Sequence, residues 1–134
     1  SSQDELSQHK EYLQNIQNRI FDIGGILTTK SEVPLEKKYL LNLEKETNNL
    51  NHKLPDLDNF ILPGGSKESS FIHIARTVCR RAERSLIEAN GSQKIEKSCL
   101  IYINRLSDFL FVLARKVNLD SGNEELLWKQ HRLR

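Results

Sequence analysis

The sequence predicts an all-α protein, an up-down bundle of amphipathic helices, on three observations. Apolar residues recur at three- and four-residue spacing in four separate stretches, no stretch alternates apolar and polar over a useful length, and Pro and Gly gather mainly between the periodic stretches. With 134 residues the chain favours one domain, residues 1–134. A chain of this size buries roughly two-thirds of the surface its unfolded form exposes, enough for one core.

The first helix is expected over Leu6 to Leu27, with Leu13, Ile16, Ile20, Ile23 and Leu27 as its apolar stripe. Gly24 and Gly25 weaken its last turns and leave room for another helix to approach. Thr28 to Pro34 is a polar connector. A second helix runs from about Leu35 to His52 on Leu35, Tyr39, Leu43 and Leu50, its Glu, Lys and Asn forming a solvated face. Leu54 to Gly65 is a loop punctuated by Pro55, Pro63, Gly64 and Gly65, and it carries the apolar run Phe60-Ile61-Leu62. Ser66 caps a third helix that Asn90-Gly91 ends. A fourth helix covers Lys94 to Asn118, and a short tail holds Trp128, the single tryptophan.

Composition narrows the function. The net charge is +2 with acids and bases interleaved, which argues against a general nucleic-acid binder, even one using Arg76 to Arg84. The two cysteines, Cys79 and Cys99, have no CxxC or Cys/His metal spacing and read as reduced core residues. No apolar run approaches the roughly 18 residues that span a membrane, and Ser-Ser-Gln-Asp-Glu-Leu is not a signal or transit peptide.

Two helices carry candidate chemistry. On the third, at about 100° per residue, Ile74, Ala75, Val78, Cys79, Ala82 and Leu86 fill one broad apolar arc read as core. His73, Arg76, Arg80, Glu83 and Arg84 fall within about 100° of one another on another side. That stripe is either a solvated, salt-bridged face or an anion site in which guanidinium forks meet phosphate oxygens. On the fourth helix Asn104, Asp108, Phe111 and Arg115 form one line, opposite Leu106, Leu110, Leu113 and Val117. The line faces either solvent or a cleft shared with the arginine stripe; periodicity leaves both open.

Four linked stretches then resemble the signatures of PduO-type ATP:cob(I)alamin adenosyltransferases: Phe60-Ile-Leu-Pro-Gly-Gly-Ser66, Ser70-Phe-Ile-His-Ile-Ala-Arg76, Cys79-Arg-Arg-Ala-Glu-Arg84 and Tyr102-Ile-Asn-Arg-Leu-Ser-Asp-Phe-Leu-Phe-Val-Leu-Ala-Arg115. Ile16-Gln17 and Phe21-Asp22-Ile23-Gly24 look like that family's second helix. The resemblance implies a five-helix bundle assembled as a homotrimer, with active sites at subunit interfaces. It implies transfer of the 5′-deoxyadenosyl group of ATP to cob(I)alamin, releasing triphosphate, with ATP, Mg²⁺ and cobalamin bound. Arg80, Glu83 and Asn104 match nucleotide-site positions. Arg80 would hold the triphosphate, Glu83 would help place Mg²⁺ or orient an arginine, and Asn104 would hydrogen-bond the nucleotide. Arg76 matches an interface arginine paired with an acidic residue. Phe60 matches an aromatic against the lower face of the corrin, which excludes the lower axial ligand and eases reduction of cobalt. Asp108 and Arg115 are expected to form a structural ion pair, and His73 to be a packed, hydrogen-bonded histidine.

One departure concerns the N-terminus. The family's glycine-rich phosphate loop and its first helix are not seen in residues 1–134. The expectation is therefore four of the five helices, and either an active transferase or, as the alternative, a non-catalytic cobalamin-binding or assembly module. The setting expected is the cytoplasm or a mitochondrial matrix, with no membrane or nucleic-acid partner. A flavin or other cobalamin reductase and a B12-dependent acceptor enzyme are the partners such a role allows.

Overall fold

The computed structural model describes residue 7, residues 9–57, residue 61, residues 64–123 and residue 125. Within these residues the secondary structure is four helices: α1 (Lys10–Thr29), α2 (Lys37–Asn51), α3 (Lys67–Asn90) and α4 (Lys97–Asp120). The all-α expectation is met, and each expected helix is present with shifted ends. Phe60 and Trp128 lie outside the described residues.

Local chemistry explains the ends. Lys30 closes α1 in the left-handed region (φ 53°), its N–H reaching the carbonyls of Ile26 and Leu27. Ser66 caps α3 as expected, its Oγ accepting from Ser69 N at 3.1 Å. α4 starts three residues later than expected because Glu96 caps it, accepting from Ser98 N at 2.8 Å and Ser98 Oγ at 2.7 Å. Ser98 Oγ in turn accepts from Leu35 N at 2.8 Å, which anchors the segment entering α2 to the start of α4. At the end of α3, Gly91 remains right-handed (φ −72°), so it stops the helix without the left-handed cap that glycine permits.

α4 is the central helix and packs chiefly against α3 and α2. Leu106, Leu110, Leu113 and Val117 are buried as expected. So are Ser107, Phe109, Ala114 and Arg115, so α4 is enclosed over more of its circumference than a two-faced helix. α1 leans on it through Tyr12, whose ring lies 5.3 Å from that of Phe109 and whose hydroxyl donates to Asn42 Oδ1 at 2.9 Å. Ile16, Ile23, Leu35, Leu43 and Leu50 complete the core. Ile20, by contrast, is exposed, and no atom beyond the local helix backbone comes within 4 Å of where a Cβ at Gly24 or Gly25 would stand.

The apolar arc expected to bury α3 is the largest correction. Ile72, Cys79 and the half-buried Leu86 face inward together with Ser69, His73 and Glu83. Ile74 and Val78 face outward at 59% and 49% exposure, beside Phe71 at 56%. A helical wheel registers hydrophobicity but not which neighbour covers it, and the described residues leave this stripe uncovered.

The junction between the loop and α3 depends on one glycine. Gly65 has φ +91°, and a Cβ there would stand 2.0 Å from Asn118 Oδ1. That oxygen accepts from Ser66 N at 3.0 Å, tying the start of α3 to the end of α4. Gly65→Ala combines backbone strain of about 1–3 kcal/mol with loss of a buried hydrogen bond worth about 1–3 kcal/mol when its donor is stranded. The expected result is a loss of about 2–6 kcal/mol in urea unfolding, against a gain of up to about 1 kcal/mol for an alanine at the open, helical Gly24.

Candidate nucleotide site on facing polar stripes

The polar stripes of α3 and α4 turn toward each other. Asn104 on α4 donates through Nδ2 to Glu83 Oε2 on α3 at 2.6 Å. The other carboxylate oxygen, Oε1, lies 3.9 Å from Arg80 Nη1. One turn earlier the guanidinium of Arg76 sits 5.0 Å from the centre of the Phe111 ring, and the His73 ring meets the same phenyl edge-on at 6.5 Å. The two stripes meet at Asn104–Glu83, while Arg80, Arg84 and Asp108 stay exposed. His73 and Glu83 are buried between the helices rather than lying on a solvated face.

Burial distinguishes the residues. Glu83 is 8% exposed, yet one of its oxygens has only a loose ion pair. Arg80 is half exposed, with its side chain at 46%, and is free to turn toward an anion. Arg76 has a buried Nε with no hydrogen-bond partner, a state that an added carboxylate or phosphate would relieve. Three guanidinium groups, Arg76, Arg80 and Arg84, therefore share this side of α3 with one carboxylate whose negative charge is already divided.

Glu83 reaches Asn104 at 2.6 Å and Arg80 at a longer 3.9 Å, contacts suited to orienting an arginine. Among the described residues no group of three or more His, Cys, Asp or Glu could hold a metal ion.

The remaining signature residues divide. The expected pair Asp108–Arg115 is replaced by another. Arg115, 4% exposed, donates Nε to Glu125 Oε1 at 2.7 Å and Nη2 to Pro55 O at 2.8 Å. Seven residues of helix separate Asp108 and Arg115 by about 10 Å along the axis, and Asp108 lies exposed beside Arg105 and Glu44. His73 is packed as expected, and its pKa is lowered from the ordinary value of 6.5, by burial first and then by Arg76. Cys79, whose thiol lies 3.4 Å from Ile103 O, is pushed up to about 11 by burial, and Cys99 is raised for the same reason. Both are unreactive core thiols.

The histidines make stability depend on pH. His73 and His9 both have folded pKa values lowered by burial. The unfolded chain therefore takes up their protons first as pH falls. Stability is full above 6.5 and declines as the pH drops through that value. Thermal unfolding followed from pH 8 to pH 5 should show a falling midpoint, and His73→Gln should flatten part of that fall.

Sequence reasoning did not single out two residues of this cluster, Arg105 and Glu44. Arg105 Nη1 donates to Asn104 Oδ1 at 2.5 Å, and Arg105 Nε lies 3.1 Å from Glu44 Oε1 on α2. Nothing in the one-dimensional pattern separates this arginine from an ordinary exposed charge.

The sequence profile of the cobalamin adenosyltransferase family matches residues 1–117. The chain belongs to this family. A cobalamin adenosyltransferase of Cupriavidus metallidurans is 42% identical over 120 residues, covering 90% of this chain and 65% of that protein. A corrinoid adenosyltransferase of Bacillus subtilis is 43% identical over 113 residues, covering 82% and 58%. The chain thus spans less than two thirds of these relatives. A solved PduO-type adenosyltransferase of Lactobacillus reuteri, an Arg→Lys variant complexed with ATP, superposes with a TM-score of 0.87 at 32% identity, covering 94% of this chain and 74% of that one. A Phe→His variant of the Lactobacillus reuteri enzyme, complexed with cobalamin and ATP, also gives 0.87 at 31% identity, covering 93% and 70%. The cobalamin adenosyltransferase fold accounts for all four helices, and none of them is long and apolar enough to cross a membrane.

Proposed function

We propose that the protein transfers the 5′-deoxyadenosyl group of ATP to cob(I)alamin. The carrying observation is the cluster Arg80–Glu83–Asn104, brought together from two helices of a cobalamin adenosyltransferase chain. Cobalt(I) supplies the electron pair that forms the cobalt–carbon bond at C5′. The C5′–O bond breaks, and triphosphate leaves with that bonding pair. The protein's part is positioning and charge. Arg80 meets the triphosphate, where negative charge grows as the bond breaks. Glu83 holds Arg80 loosely enough to release it to the phosphates, and Asn104 hydrogen-bonds the nucleotide. Mg²⁺ would arrive bound to the phosphates of ATP.

The altered phenylalanine and arginine of the two Lactobacillus reuteri structures stand 20 positions apart in their chain, as Phe60 and Arg80 do here. That spacing supports Phe60 as the aromatic beneath the corrin, where it would keep the lower ligand off cobalt.

The assembly we infer is a homotrimer with sites between subunits. Two features support it: the uncovered stripe Phe71–Ile74–Val78 on one side of α3, and the orphaned Nε of Arg76 on the other. In a closed ring each chain presents two different faces to its neighbours, which would cover the first and bring an acidic partner to the second.

The test of function is incubation with ATP and chemically reduced cobalamin. Adenosylcobalamin should appear in its absorbance spectrum, with one triphosphate released per turnover. Binding of cobalamin without adenosyl transfer would instead support the non-catalytic module.

A further inference from the structure

We propose that Arg105, braced by Glu44, is a positioning residue that acts with Glu83 to fix which end of the Asn104 amide faces the nucleotide. This rests on the reading of Arg80, Glu83 and Asn104 as the nucleotide site. A side-chain amide is nearly symmetric in shape and reverses by a half-turn about its last bond, exchanging a donor for an acceptor. Here both neighbours forbid the reversal. The guanidinium of Arg105 can only donate, so the atom 2.5 Å from Nη1 must be the carbonyl Oδ1. The carboxylate of Glu83 can only accept, so the atom 2.6 Å from Oε2 must be the amino Nδ2. A reversed amide would set NH₂ against a cation and C=O against an anion.

The orientation has a chemical consequence. One hydrogen of Nδ2 is used by Glu83, and the second is available on the half-exposed side of Asn104. The site therefore offers the nucleotide a donor, and the ligand atom that meets Asn104 is an acceptor such as a ribose, phosphate or ring-nitrogen lone pair. Arg105 is itself held across the bundle by Glu44 Oε1 at 3.1 Å, so α2 takes part in a site otherwise built on α3 and α4. The Glu44–Arg105 pair is 38% and 44% exposed, too open to add much to stability. Its value lies in orientation.

The test compares Arg105→Met, Arg105→Lys, Asn104→Ala and the double variant Arg105→Met/Asn104→Ala, in calorimetric titration with ATP and in steady-state adenosylation. Arg105→Met should weaken ATP binding about three- to tenfold, the scale of one net hydrogen bond, and raise the KM for ATP while the KM for cob(I)alamin and the melting midpoint stay put. Arg105→Lys keeps a donor-only group and should recover most of the loss. In the Asn104→Ala background, Arg105→Met should cost nothing further, because the residue acts only through that amide. Additive losses, or an unchanged ATP affinity in Arg105→Met while Asn104→Ala weakens it, would overturn the proposal and leave the nucleotide site standing. Unchanged ATP affinity in Asn104→Ala, or no ATP binding by the parent protein, would remove the site itself.

Discussion

Replacing Arg80 with alanine is expected to lower kcat/KM for ATP about ten- to a hundredfold, the rate equivalent of one charge-assisted hydrogen bond of about 1.5–3 kcal/mol. The size follows from where the charge acts. Triphosphate is the leaving group, so the guanidinium interacts more strongly with the transition state than with bound ATP, and part of the loss should fall on kcat. The fold should survive, because the Arg80 side chain is 46% exposed and its one ion pair is long, at 3.9 Å. Glu83→Ala should behave differently. It releases Asn104 from its 2.6 Å bond and frees Arg80, disturbing two ligand contacts at once and opening a cavity in a residue only 8% exposed. Steady-state kinetics with varied ATP, together with thermal unfolding, separates the two. A full-strength enzyme after Arg80→Ala would take the arginine stripe out of the mechanism.

The second large effect is expected at Ile74. In one chain it is 59% exposed, so Ile74→Glu should leave the helical content and the urea midpoint of an isolated chain almost unchanged. In the proposed trimer the same carboxylate would be buried against a neighbour without a partner, at a cost of several kcal/mol at each interface. Light scattering should show trimers from the parent protein at micromolar concentration and monomers from the variant. Adenosylation should fall with the trimer, since each site would need two chains. A monomeric parent protein, or a trimeric and active Ile74→Glu, would place the interface elsewhere.

The sequence was most legible where chemistry is local. Ser66 announced itself as a cap because a hydroxyl three residues before an available backbone N–H has one obvious use, and the bond to Ser69 is there. The four helices followed from periodicity, which a bundle core imposes directly. The start of α4 was less legible, because the Glu96–Ser98–Leu35 arrangement joins segments 63 residues apart. Ile74 and Val78 were misjudged for a physical reason. An apolar arc says that something covers it, and here the covering is not supplied by this chain's described residues. The expected Asp108–Arg115 pair fails because seven helical residues set the two about 10 Å apart along the axis. The charge of Arg115 instead reaches across to Glu125 and the carbonyl of Pro55. Arg105 went unnoticed because its importance depends on which amide end it touches, and that exists only in three dimensions.

The central claim is that the facing polar stripes of α3 and α4 hold the nucleotide, and its most direct measurement is an ATP titration followed by nitrogen–proton NMR. The Asn104 side-chain NH₂ pair and the Arg80 Nε–H are the reporters, assigned from the Asn104→Ala and Arg80→Lys variants. Saturable shifts of both, with the same apparent affinity and none at the remote Asn15 amide, are the predicted result. Saturable shifts elsewhere with these two unmoved would contradict the placement of the site.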